Sequence, residues 1–216
     1  MSAPEEILPG LFHWSGRHPK IHVEVSSYWL DDAGVLIDPL VPPQEGLDWF
    51  IARAHQPEAI VLSNRHHYRE SGRFVKRFGC AVLCNREGLH EFSGGEKVLG
   101  FDIGAELAGG VIACALDAIC PDDTALHVPE RRALALADGI VKGGRYGGDG
   151  PLGFVPDSLM DDPPGTKQGL LTGCEQLLAD LDFQHLLLAH GGPVIGNGRA
   201  LLEDLVEVGG RTAFEF

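Results

Sequence analysis

Ten consecutive residues after a short apolar run hold the densest chemistry in the chain: Ser63-Asn64-Arg65-His66-His67-Tyr68-Arg69-Glu70-Ser71-Gly72. Imidazole ligates metals and moves protons near neutral pH, and guanidinium pairs with carboxylate or phosphate. A polar helix start on the surface, capped by Ser63 or Asn64, would have the same composition. Two further positions stand at the ends of apolar runs. Asp138 closes Leu136-Ala137 and precedes Gly139, where an Asp either caps a turn or coordinates a ligand. His190 closes Leu186-Leu187-Leu188-Ala189 and precedes Gly191-Gly192, and glycine lets backbone or ligand approach closely. Alone, such a histidine reads as a satisfied core residue. Together with the first cluster, the strand-end positions point to a site built on loops that a rigid scaffold holds.

The elements that must position these residues alternate between strand and helix. Strand-like runs cover 23–30 and 35–38, separated by the turn Asp31-Asp32-Ala33-Gly34, with further strands at 59–62, 81–84, 111–116, 125–128, 132–137 and 185–189. Helical spacing covers 46–56, 71–78, 170–181 and 199–208. The Gly-, Pro- and Asp-rich stretch 142–166 has no period and reads as a loop or insertion. Within it, Gly143-Gly144-Arg145-Tyr146-Gly147-Gly148 lacks the Gly-Lys-Ser/Thr ending of a phosphate-binding loop and reads as a flap after Asp138. No linker composition divides the chain, so residues 1–216 are expected to form a single domain. Two mixed sheets with helices on their outer faces, a layered α/β class, satisfy the pattern.

Composition excludes several functions. Lys and Arg number 17 against 31 Asp and Glu, a formal charge of -14, which disfavours nucleic-acid partners and anionic membranes. No apolar run approaches the ~20 residues of a membrane span. The opening Met1-Ser-Ala-Pro-Glu-Glu is acidic and broken by Pro4 and Pro9, unlike a signal peptide, so a cytoplasmic location is expected. The five cysteines are an odd number, mostly within apolar runs, and read as buried thiols rather than a disulfide or zinc set. His13, His18 and His22 mix faces and read as surface or edge-of-site residues, with Trp14 a candidate cleft wall.

Strand, His-rich loop and helix, then strand-Asp-Gly, then strand-His-Gly, after an opening strand–turn–strand ending in Ile37-Asp38-Pro39: this order resembles the metallo-β-lactamase-fold superfamily over residues 11 to 208. The resemblance implies an αββα sandwich with a metal site at one edge of the two sheets. It also implies a worn motif. The family's His-x-His-x-Asp-His falls on Asn64, His66, Tyr68 and Arg69, and the histidine of its Gly-His-Thr-Pro-Gly segment falls on Ile119. His66, Asp138 and His190 keep the ligand type, and they are the expected catalytic and metal residues. Arg65, His67, Tyr68, Arg69 and Arg145 are the expected substrate-binding residues. Moving the register by one residue brings His67 to a ligand place, where it, Glu70 or Tyr68 would complete a set.

Because Ile119 offers no lone pair and Arg69 is a permanent cation, the two-metal centre of the family is not expected. An ion pair of Arg69 or Arg65 with Asp138 is expected in its stead. The cofactor reading is none, with zinc or another divalent metal at low occupancy as the alternative. Two functions follow: a hydrolase of a small ester, thioester, lactone or phosphoester with an altered site, or a metal-free pseudoenzyme that binds a small anion. The partner in either case is a small molecule, with a homo-oligomer through Phe214-Glu215-Phe216 left open.

Overall fold

Several strand runs are apolar at every position rather than at alternate ones, which requires cover on both faces. The computed structural model, which describes residues 2–143 and 150–209, shows the cover. Its first sheet has seven strands in chain order: β1 (Glu5–Leu8), β2 (Leu11–Arg17), β3 (Glu24–Leu30), β4 (Val35–Ile37), β5 (Ala59–Val61), β6 (Ala81–Asn85) and β7 (Val98–Phe101). Pairing is antiparallel from β1 to β4 and parallel from β4 to β7. In the second sheet β8 (Ile112–Ala115), β9 (Thr124–Val128) and β10 (Ala133–Leu136) are antiparallel neighbours. The chain then makes a two-stranded ribbon, β11 (Ile140–Lys142) and β12 (Leu152–Phe154), and returns as β13 (His185–Leu188), parallel to β10.

Alternation along each strand sorts side chains into layers. Val35 and Ile37 of β4 and Ala133 and Ala135 of β10 point into the space between the sheets, with Tyr28, Val61, Leu126 and Leu187. Leu134 and Leu136 point the other way, against Leu170, Cys174 and Leu177 of α2 (Pro163–Asp180) and Leu202 and Leu205 of α3 (Gly198–Glu207). Leu36, Trp14, Trp29 and Ile60 face outward from the first sheet onto Phe50 and onto Phe74 of α1 (Ser71–Phe78). Helix, sheet, sheet, helix is the αββα sandwich of mixed sheets that the sequence order implies. Among the described residues no helix is long and apolar enough to cross a membrane.

Three local expectations are corrected. The helical spacing at 46–56 yields only a 3₁₀ segment, Leu47–Ala52, in which Phe50 alone is buried. The stretch 142–166 is not all loop, since it contains β12 and the first residues of α2, which begins at Pro163 behind an Asp162 carboxylate that accepts the Gly165 N–H. Strands β1, β2, β7 and β11 have no counterpart in the sequence reading. Phe50 stacks edge-on against Trp14, Trp29, Trp49 and Phe74 at centroid distances of 4.9–6.0 Å. Phe50→Ala therefore empties the centre of that layer, and urea unfolding should show a loss of about 3–5 kcal/mol. A loss below about 1 kcal/mol would mean the 3₁₀ segment is not pinned by this ring.

Candidate active site

Parallel pairing places the ends of neighbouring strands at one edge. Leu136 of β10 lies opposite Leu188 of β13, so two residues further on Asp138 and His190 stand side by side. His190 Nε2 is 3.0 Å from Asp138 Oδ1. In the first sheet Ile37 of β4 lies opposite Val61 of β5, which brings Asp38 to the segment after β5. The Ser63 N–H donates to Asp38 Oδ1 at 2.8 Å, and the Ser63 hydroxyl donates to Oδ2. The two edges are joined by the Ser26 N–H to the Ala189 carbonyl (2.9 Å), the Tyr28 hydroxyl to the Leu188 carbonyl (2.8 Å) and the Thr124 N–H to the Ser63 carbonyl (2.9 Å).

After Ser63 the chain makes one 3₁₀ turn, Arg65–Tyr68, capped by the Asn64 side chain, whose Oδ1 accepts the His66 N–H. This turn decides which histidine enters the site. His66 is exposed, whereas His67 is 4% exposed and points between the sheets. Its Nδ1 lies 2.8 Å from Asp38 Oδ2 and its Nε2 lies 2.9 Å from Asp138 Oδ1. Asn64 Nδ2 donates to the other oxygen of Asp138 at 3.0 Å. Arg69 Nη1 donates to the carbonyls of Ser26 and Asp38. Asp38 and Arg69 both have positive φ, 49° and 44°, a strained conformation for non-glycine residues that is concentrated at functional sites.

The charges interlock. Burial is the largest influence on His67 and opposes its charge, yet Asp138 and Asp38 together outweigh it and hold its pKa up at about 9. Burial likewise opposes ionisation of Asp138 and Asp38. For Asp138 the imidazoles of His67 and His190 win and hold the carboxyl well below the usual range. For Asp38, His67, Ser63 and Arg69 do the same. Both carboxylates can therefore only accept, so the ring nitrogens that face them carry the protons. Asp123 behaves oppositely. It is fully buried, neither carboxylate oxygen has a hydrogen-bond partner among the described residues, and burial together with the Asp138 charge pushes its pKa well above normal.

A cleft of about 410 Å³ opens over this group, with Arg65, His66, Tyr68, Arg69, Lys20 and Glu91 among its walls. Of the residues expected from sequence, the structure gathers His67, Asp138 and His190 at the floor and leaves His66 on the wall. The expected pairing of Arg65 or Arg69 with Asp138 is overturned. Arg65 pairs with Asp122, buried beneath it, and Arg69 is turned to backbone carbonyls, so that Asp138 is held by two imidazoles and an amide. Ile119 packs against the apolar layer beneath α2 and α3. Tyr68 lies against Phe92, ring centroids 5.6 Å apart. Arg145 lies outside the described residues. Asp38, Asp122 and Asp123 were missed as site residues, although the sequence signals Asp38 by ending an apolar strand just before Pro39.

Could this donor set hold a metal? His67, Asp138 and His190 each offer one ligand atom, all within 4.8 Å of one another. Two imidazoles and one carboxylate on one side of a centre are a standard set for a divalent metal with open positions. Asp38 behind the His67 Nδ1 is the outer carboxylate that ligating histidines habitually have. The residues fit one metal ion. Asn64, Tyr68, Arg69 and Ile119, where the resemblance implies further residues of the motif, supply no imidazole or carboxylate.

No protein-family profile matches the sequence, and no curated protein matches it. Solved structures do. A metallo-beta-lactamase family protein from Thermus thermophilus superposes with a TM-score of 0.64 at 19% identity, over 94% of this chain and 80% of that one. A metallo beta lactamase from Erythrobacter litoralis, with beta mercaptoethanol in its active site, gives 0.64 at 11% identity over 95% of each chain. The flavodiiron protein from Giardia intestinalis gives 0.65 at 15% identity, over 97% of this chain and 59% of its own. At such identities the likeness is one of fold.

The electrostatics of Asp123 carry a prediction. A carboxyl whose folded pKa lies above its unfolded value destabilises the fold increasingly as pH rises above the unfolded pKa, near 3.8. Asp123→Asn, which cannot ionise, should raise the urea midpoint over wild type, by more at pH 8 than at pH 5. A gain that does not grow with pH would show that Asp123 is not held protonated.

Proposed function

On the metallo-β-lactamase fold that this chain adopts, we propose a hydrolase of small ester, thioester or phosphoester substrates whose centre holds a single divalent metal on His67, Asp138 and His190. The observation that supports it is the convergence of three ligand atoms within 4.8 Å at the floor of the cleft, with Asp38 behind one of them. In the reaction water adds across the acyl or phosphoryl bond, giving an acid and an alcohol or thiol. When bound, the metal would lower the pKa of water toward ~7 and polarise the substrate oxygen.

The protein's own residues do the rest. Asp38, with Ser63, fixes the His67 ring through Nδ1 and leaves Nε2 aimed at the centre. Asn64 occupies one oxygen of Asp138 so that the other faces the two imidazoles. Arg69 places its charge behind Asp38, bonded to backbone rather than standing in the centre. Lys20, Arg65 and His66 on the cleft walls favour an anionic or polar substrate, and Glu91 and Glu96 limit that preference.

One observation favours a second reading, a metal-free module that binds a small anion. With no metal, the His67 imidazolium sits between Asp38 and Asp138 and, with Arg69 beside Asp38, balances their two charges. Metal analysis separates the two. Protein purified without chelator and reconstituted with zinc, manganese or iron(II) should carry one metal per chain by inductively coupled plasma mass spectrometry. His67→Ala and His190→Ala should lose it, and His66→Ala should keep it. Asp38→Asn should weaken metal affinity roughly 10- to 100-fold. Ester, thioester and phosphodiester chromogenic substrates should then be cleaved only by the loaded protein. Failure to take up any of the three metals would leave the anion-binding reading.

A further inference from the structure

The turn between β2 and β3 folds over the cleft, and its hydrogen bonds converge on one residue. The His18 N–H donates to the Val23 carbonyl at 2.8 Å, and the His18 carbonyl accepts the His22 N–H at 3.0 Å. Its ring joins the same turn: Nδ1 accepts the backbone N–H groups of Lys20 and Ile21, at 3.2 and 3.3 Å. A nitrogen that accepts two N–H groups carries no proton. The ring is therefore the neutral tautomer with its proton on Nε2. His18 is 9% exposed and lines the cleft, and with Nδ1 tied to the turn, Nε2 is the nitrogen left to face it. No described residue hydrogen-bonds that Nε2.

The surroundings keep the ring neutral. Burial, then the charges of Arg69, His67, His190 and Lys20, lower its pKa to about 4. The same set of charges places His18 within electrostatic reach of two of the three candidate ligands. A neutral imidazole donates one directed hydrogen bond and has little tendency to give its proton away. Such a donor suits an oxygen that becomes negative during reaction, because it is already oriented before the charge develops.

We propose that His18, as a neutral Nε2–H donor fixed by its own turn, binds the carbonyl or phosphoryl oxygen of the substrate that gains negative charge during hydrolysis. In its catalytic sense this rests on the hydrolase reading above, whereas the donor itself is a property of the cleft and binds an oxyanion with or without turnover. His18 is thus a substrate-contacting residue outside the metal set. The sequence reads His18 only as a surface or edge-of-site residue, because its role depends on a turn rather than on a strand end.

Nuclear magnetic resonance of the full chain with ¹⁵N-labelled histidine tests the donor directly. At pH 7 the His18 signals should show a protonated Nε2 and an unprotonated Nδ1. Adding inorganic phosphate should shift the Nε2–H resonance, and His18→Ala should weaken phosphate binding at least tenfold. Three variants separate donor from turn. His18→Asn keeps an acceptor for the Lys20 and Ile21 N–H groups but lacks the reach of Nε2, whereas His18→Gln restores a donor near the Nε2 position. On the cleaved substrate, Ala and Asn should each lower kcat by roughly 10²–10³ with KM little changed, and Gln should recover part of it.

An imidazolium or an Nδ1–H tautomer at pH 7, or phosphate binding unchanged in His18→Ala, would overturn the proposal. So would wild-type kcat in His18→Asn. A wild-type protein that binds phosphate through His18 yet cleaves nothing would overturn the hydrolase reading and the catalytic sense of the proposal, leaving His18 as an anion donor.

Discussion

The imidazole of His67 joins both sheets by charge at the edge where the site lies. Asp38 belongs to the edge of the first sheet and Asp138 to the edge of the second, and the ring touches both carboxylates. Burying a carboxylate without a partner costs several kcal/mol, and the ring supplies a partner to both, beside Ser63 at the buried Asp38 and Asn64 and His190 at the partly exposed Asp138. The apolar layers press the sheets together without direction. The ring supplies direction, because only one relative placement of the edges puts both carboxylates within about 3 Å of it. Around it the formal charges balance, His67 and Arg69 against Asp38 and Asp138, and Arg69 joins this balance through backbone carbonyls beside Asp38.

The strand-end positions were legible because strands buried on both faces write themselves as continuous apolar runs, and a polar residue closing such a run is conspicuous. Asp138 and His190 follow Leu136 and Leu188 by the same two residues, so the parallel register of β10 and β13 makes them neighbours. The assignment between His66 and His67 was not legible. Each residue of a 3₁₀ turn advances the side chain by about 120°, so a one-residue difference in where the turn starts exchanges the inward histidine for the exposed one. The Asn64 cap sets that start, and motif alignment is blind to it. The strand β2 was hidden for a related reason. Its buried residues include Ser15 and Gly16 among aromatic neighbours, a mixture that matches neither alternation nor a continuous apolar run.

Arg69 was misjudged through its charge alone. A guanidinium where the resemblance implies a ligand suggests an ion pair with Asp138, since that would replace one positive charge by another. The structure finds a different partition. His67, moved inward, already meets Asp138, while Arg69 adopts a positive φ and reaches the Ser26 and Asp38 carbonyls. Arg65, the other candidate, is drawn to Asp122, which is fully buried and would otherwise lack a cation. Arg65 is held by Asp122 and Arg69 by two backbone carbonyls, and the centre is left to imidazole and carboxylate.

That partition bears on how many metals the site suits. A divalent ion on His67, Asp138 and His190 would displace the proton that makes His67 an imidazolium and bring two charges in its place, a net gain of one unit. One ion thus moves the balance of Asp38, Asp138 and Arg69 by a single positive charge. A second ion would add charge with nothing to offset it, beside a guanidinium that cannot deprotonate, and where Asn64 and Ile119 supply neither an anion nor an imidazole. Asp123 is the carboxyl with charge in reserve, but it is fully buried and held protonated by its own burial and by Asp138. The electrostatics of this edge thus favour one metal or none, because its remaining positive charge is covalently built in.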